Sequence, residues 1–81
     1  MKLPRDLSGL ELAKLLEAFG YNIDHQTGSH LRLTTERNGE HHITIPAHNP
    51  LKVGTLSAIL RDVADHMGLS RDELLTELFQ K

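Results

Sequence analysis

The sequence predicts an α+β fold: a helix, a three-stranded antiparallel sheet and a second helix, α-β-β-β-α, with an extra C-terminal helix. Three observations carry this expectation. Two Ser-x-x-Glu boxes, Ser8 to Glu11 and Ser70 to Glu73, each open a run of apolar residues at helical spacing. Between Tyr21 and Ile45 the chain alternates apolar and polar residues in three short stretches broken by Gly-containing turns. After a proline-rich loop, Leu56, Ile59, Leu60, Val63 and Met67 recur as one apolar stripe.

Met1 to Asp6 reads as a lead-in, with Pro4 blocking regular structure. Ser8 then caps the first helix, Leu7 can staple onto Leu12, and Leu12, Leu15, Leu16 and Phe19 form its buried stripe. Gly20 is the natural stop. Tyr21 to Gln26 alternates, with Tyr21 and Ile23 expected on a buried face and Asn22, Asp24 and Gln26 on the other. Thr27-Gly28-Ser29 turns the chain into a strand over His30 to Glu36, and Arg37-Asn38-Gly39 into a third over Glu40 to Ile45.

Parity sets the register, because facing residues share a side of the sheet. A three-residue loop from Arg37 to Gly39 pairs Leu33 with Ile43 and Thr34 with His42, and wants a left-handed residue at Gly39. The same logic on the first hairpin pairs Ile23 with Leu33, Asp24 with Arg32 and Gln26 with His30. A two-residue Gly28-Ser29 turn would instead require a bulge. The expected outer face carries Asn22, Asp24, Gln26, His30, Arg32, Thr34, His42 and Thr44. Pro46 to Pro50 is a loop, and the next helix starts between Leu51 and Thr55 and closes at Gly68. Leu74, Leu75, Leu78 and Phe79 give the last, short helix.

At 81 residues the chain is one domain, near the lower end of what folds unaided. It has no cysteine, which excludes disulfides and thiolate metal sites. No apolar run approaches the ~20 residues of a membrane span, and the N-terminus carries no signal-peptide core, so the expected location is the cytoplasm. The net charge of −2 weighs mildly against a polyanionic partner. Acidic and basic residues balance through Thr55, however, and the deficit lies from Leu56 onward.

Six histidines invite a metal reading, and the geometry argues against it. His41 and His42 are adjacent on a strand and point to opposite faces. His42 and His30 share a face but sit four positions apart, roughly 13 Å at the usual rise. No His-x-x-x-His spacing occurs, so no metal or other cofactor is expected. His25 falls on the inward parity as a half-buried residue, His48 lies in the loop, and His66 sits near a helix C-terminus, where a cation is favoured. His30 differs, because a turn delivers it to the first position of a strand. Imidazole titrates near neutral pH and is the usual proton-transfer group. With Arg32 and Thr34 on the same face, His30 fits a small reactive site or an RNA-binding surface as well as a plain solvated face.

Glu11-Leu12, Leu15-Leu16-Glu17, Gly20-Tyr21, Gly28-Ser29-His30, His42-Ile43-Thr44-Ile45-Pro46, Lys52-Val53-Gly54-Thr55-Leu56 and Ile59-Leu60 together resemble the HicA (YcfA-like) toxin family. The likeness runs from about Ser8 to Leu69. It implies a single HicA-like domain over residues 1–81, with a core at about 8–69 and an added helix at about 70–79. It also implies a fold like that of double-stranded-RNA-binding domains (dsRBD-like), a toxin of a type II toxin–antitoxin system acting as an mRNA interferase, and a HicB-type antitoxin as partner. The family's essential histidine matches His30, and the glycine of its motif matches Gly28.

The expected chemistry follows from RNA itself, which carries a nucleophile in its 2′-hydroxyl. One histidine, His30, deprotonates it or protonates the leaving 5′-oxygen, and Arg32 or Lys52 stabilises the charge on phosphorus, so no metal is needed. Gly28, Ser29, Arg32, Lys52, His42 and His48 are the expected substrate-binding residues, and His42, His48 and His25, in that order, are candidates for a second proton-transfer group. The alternative is a non-catalytic RNA-binding or partner-docking module of the same fold.

Overall fold

The structure, a computed structural model, describes residues 3, 4 and 6–79. Of the expected lead-in, Met1, Lys2 and Arg5 lie outside the described residues. Helix α1 spans Gly9–Leu15 and tightens into a 3₁₀ turn over Leu16–Phe19. Strands β1 (Asn22–Thr27), β2 (His30–Thr35) and β3 (His41–Pro46) form one antiparallel sheet in the order β1-β2-β3. Helices α2 (Val53–Met67) and α3 (Arg71–Phe79) complete the chain.

Local chemistry explains most element ends. The Ser8 hydroxyl accepts the Glu11 N–H at 3.1 Å, and the Glu11 carboxylate accepts the Ser8 N–H at 2.9 Å. These bonds hold the exposed Glu11 carboxyl below its usual range. Ser70 and Glu73 repeat the arrangement at α3, with the same effect on Glu73. Gly20 takes a left-handed φ of 82° after the 3₁₀ turn, and Gly68 one of 70° after α2. Lys52 occupies the N-cap position of α2, inside the range expected for its start.

The core lies between one face of the sheet and the helices. Leu31, Leu33, Ile43 and Ile45 face Leu12, Leu16, Leu56, Leu60, Val63 and the α3 leucines Leu74, Leu75 and Leu78, all buried. The β2–β3 register is as parity required, with Leu33 opposite Ile43 and Thr34 opposite His42. Gly39 holds a φ of 99° in the connecting loop. Thr35, buried among these apolar groups, donates to the Phe19 carbonyl at 3.0 Å and accepts the Arg37 N–H at 3.1 Å. It thereby ties the end of the first helical segment to the sheet.

The first hairpin corrects three expectations. The first concerns the turn, which has two residues, Gly28 and Ser29, because Thr27 is already paired with His30. Gly28 alone of the two has a positive φ, 53°, the pattern of a two-residue II′ turn. The second concerns register. Ile23 still faces Leu33, but His25 faces Arg32, so Asp24 is extra and forms a bulge. The expected pairs Asp24–Arg32 and Gln26–His30 are replaced by His25–Arg32 and Thr27–His30. Consequently Gln26 leaves the outer face, and His25 and Thr27 join it.

The third correction concerns burial. Every residue of β1 is exposed, and Ile23 is 46% exposed. The helices cover β2 and β3 and leave both faces of this edge strand open, so only Tyr21, just before it, is buried. Among the described residues no helix is long and apolar enough to cross a membrane.

Candidate active site

The outer face of the sheet carries two polar groups of residues. One lies at the turn end. His25 stands directly opposite Arg32, and Thr27 directly opposite His30. Pairing partners share a face, so these four side chains form a square on solvent. All four are exposed. The Thr27 hydroxyl and His25 Nε2 share a hydrogen bond of 2.7 Å. The rings and cations of His30 and Arg32 have no side-chain partner among the described residues. Directly below, the Ala47 N–H donates to the Ser29 carbonyl at 2.6 Å, continuing the β2–β3 ladder past the His30–Pro46 pair. The loop leading to His48 thus departs from beside the turn. It is pinned to the start of α1, where the Gly9 N–H donates to the His48 carbonyl at 2.9 Å.

The second group occupies the opposite end of the same face. Thr34 donates its hydroxyl proton to Asp24, and His42 Nδ1 lies 2.7 Å from the same oxygen. His42 Nε2 donates to Glu40 at 2.9 Å. Both ring nitrogens of His42 are therefore engaged in hydrogen bonds.

The structure thus brings Gly28, Ser29, His30 and Arg32 together, with the His48 loop adjoining. It separates His42, which is held in its own network at Thr34. Lys52 is exposed at the N-cap of α2, on another element. His25, expected inward and half-buried, is instead exposed beside Arg32, because the bulge at Asp24 inverts the parity that follows it. The signal was present in the sequence: a two-residue Gly-Ser turn and an inward Ile23 are compatible only with one extra residue between them. Among the described residues no three His, Cys, Asp or Glu side chains come together as metal ligands would.

A second cluster, on the inner side, escaped sequence reasoning altogether. Tyr21 Oη and His41 Nδ1 are 2.7 Å apart, and His41 Nε2 reaches Asp62 Oδ1 at 3.2 Å. The His41 ring stacks on His66, with centroids 4.3 Å apart and planes 11° apart. His66 Nε2 donates to the carbonyls of Arg37 and Gly39, both at 3.0 Å, and Asn38 Nδ2 donates to the His66 carbonyl at 3.2 Å. The cluster fastens the β2–β3 loop to α2. The structural role expected of His66 is therefore a loop clamp.

Burial, and secondarily the charge of Asp62, push the Tyr21 phenol up to about 12. An unfolded tyrosine titrates near ~10, so the folded chain holds this proton more tightly. Its contribution to stability is complete below pH ~10 and is lost as pH rises toward about 12. Thermal melts between pH 9 and pH 12 should show wild type losing stability faster than Tyr21→Phe across that window; parallel losses would place the phenol in water.

The family model described as the HicA toxin of bacterial toxin-antitoxin matches residues 9–64, more than half of the chain. No curated protein and no solved structure matches.

Proposed function

The chain belongs to the HicA toxin family of bacterial toxin–antitoxin systems, and from that membership we propose that it is an mRNA interferase: a metal-independent endoribonuclease with His30 as its essential histidine. The observation that supports this best is the placement of His30. It is exposed at the mouth of a two-residue turn, its ring unpartnered among the described residues, on the same face as Arg32. A bulky substrate can reach an imidazole there without any rearrangement of the core.

The 2′-oxygen of a ribose attacks the adjacent phosphorus while an imidazole moves a proton, and the Arg32 guanidinium offsets the charge gathering on the phosphoryl oxygens. Gly28 and Ser29 let the backbone approach the RNA strand, and Lys52 and His48 are the further residues that would contact its phosphates. The partner that neutralises the toxin is a HicB-type antitoxin, and the compartment is the cytoplasm, where mRNA is found.

Induced expression in a bacterium, with transcript integrity read directly, tests this reading. Growth should arrest, mRNA should be cut internally with 2′,3′-cyclic phosphate and 5′-hydroxyl ends, and co-expression of the cognate antitoxin should restore growth. The net charge of −2 favours the alternative, a non-catalytic RNA-binding or docking module. Intact transcripts in the presence of abundant protein would decide for it.

A further inference from the structure

Resting on the nuclease reading, we propose that His25 is the second proton-transfer group of the site, working with His30 across one phosphodiester. Transfer to an internal 2′-hydroxyl needs two proton movements. The 2′-oxygen loses a proton as it bonds to phosphorus, and the 5′-oxygen gains one as its bond to phosphorus breaks. A single imidazole can serve only one oxygen at a time, because the two lie on opposite sides of the phosphorus in an in-line displacement.

Three histidines compete for the second role. His42 is excluded on two counts: both its ring nitrogens are already hydrogen-bonded, to Thr34 and Glu40, and it stands opposite Thr34, four residues along β2 from His30, roughly 13 Å away. For His48 the structure supplies a backbone anchor through Gly9 and, among the described residues, no side-chain bond that orients its ring. His25 is placed by the fold. It faces Arg32, two residues from His30 on β2, so His25 and His30 are diagonal neighbours on one face. Such neighbours lie about 7–8 Å apart, within reach of aromatic side chains. A phosphate bridged at both ends by hydrogen bonds of about 2.6–3.2 Å needs imidazoles several ångströms apart, which this diagonal supplies. Arg32 and Thr27 occupy the remaining corners. Arg32 supplies a cation on the same face as both rings, and Thr27 steadies the His25 ring through Nε2 at 2.7 Å, leaving Nδ1 without a partner among the described residues.

The bulge at Asp24 is what makes this possible. Without it, His25 would share the side of Ile23 and Leu33 on a regular ladder. The extra residue turns one imidazole onto the side that already carries the other.

In the reaction, one of the pair accepts the 2′-hydroxyl proton as the 2′-oxygen–phosphorus bond forms. The other, starting protonated, gives its proton to the 5′-oxygen as the phosphorus–oxygen bond breaks. The products are a 2′,3′-cyclic phosphate and a 5′-hydroxyl, and the histidines exchange protons with solvent before the next turnover.

The test is the pH–rate profile for cleavage of a defined RNA by purified wild type, His25→Ala and His25→Asn. Wild type should give a bell with an acidic and a basic limb. Both variants should lose about 10²-fold to 10⁴-fold at the optimum and one limb of the bell, while melting at the wild-type temperature. Asn can bond Thr27 but cannot carry a proton, so its failure to rescue separates proton transfer from positioning. Variants that keep both limbs and the wild-type rate overturn the His25 assignment and leave the nuclease reading standing. Full rescue by Asn likewise overturns it. A wild-type chain that binds RNA and never cuts it overturns both.

Discussion

His30→Ala is expected to lower RNA cleavage by about 10²-fold to 10⁴-fold, the range for losing a positioned proton-transfer group, and to end toxicity on expression. The fold should not notice. The His30 side chain is exposed and bonds no other side chain among the described residues. Its backbone pairings with Thr27 and Pro46 do not depend on the ring. Exposed substitutions of this kind usually change stability by less than about 0.5 kcal/mol. Cleavage assays on purified protein, beside a denaturation curve, separate the two quantities. His30→Ala protein that still cuts RNA at the wild-type rate would remove His30 from the chemistry, whatever its effect on growth. The contrast with His25 is informative: if the two act on one phosphodiester, combining His25→Ala with His30→Ala should cost far less than the product of the separate losses.

Gly9→Ala should be among the most destabilising small substitutions in the chain. Gly9 is buried at the first position of α1. A Cβ there would stand 2.0 Å from the Pro46 carbonyl oxygen and 3.0 Å from its carbon, with the Ala47 Cα at 3.1 Å. These are backbone atoms at the end of β3, held by the Ala47–Ser29 and Gly9–His48 hydrogen bonds, so they cannot swing aside as a flexible side chain would. Helix α1 has to lift from the sheet, drawing Leu12, Ala13 and Leu16 out of their packing. Overpacking typically costs about 1–3 kcal/mol and occasionally more, and a rigid backbone clash belongs at the top of that range. For a chain of this size, a melting temperature lower by about 10–20 °C follows. Gly54→Ala is the matched control. It sits in the first turn of α2, where a Cβ meets nothing within 4 Å, and should be neutral or stabilising by up to about 1 kcal/mol. Equal denaturation midpoints for Gly9→Ala and wild type would mean that α1 does not approach Pro46 so closely. Because Pro46 faces His30, the Gly9 substitution should also weaken cleavage, making it a rare case in which a packing residue reports on the site.

Much of this architecture was written locally. Ser8 with Glu11 and Ser70 with Glu73 mark two helix starts because the capping bonds join residues three apart. The β2–β3 register followed from the spacing of Leu33 and Ile43 around a short loop, and His30 stood out because a Gly-Ser turn precedes it. The opposite faces of His41 and His42 followed from strand alternation alone. What His41 would meet did not: Tyr21 lies just before β1 and Asp62 and His66 on α2, and their meeting depends on how α2 lies across β3.

The amino-acid order by itself determined the elements, the apolar side of β2 and β3, and the exposure of His30, because period, caps and turns act over a few residues. The tertiary structure alone decided that β1 stays open on both sides and that the first hairpin takes the two-residue turn, with the bulge at Asp24 that such a turn requires and with His25 beside Arg32 and His30. Those outcomes depend on which strands the helices cover and on reconciling a two-residue turn with an inward Ile23. Both are settled by how segments pack against one another, where local pattern left more than one arrangement open.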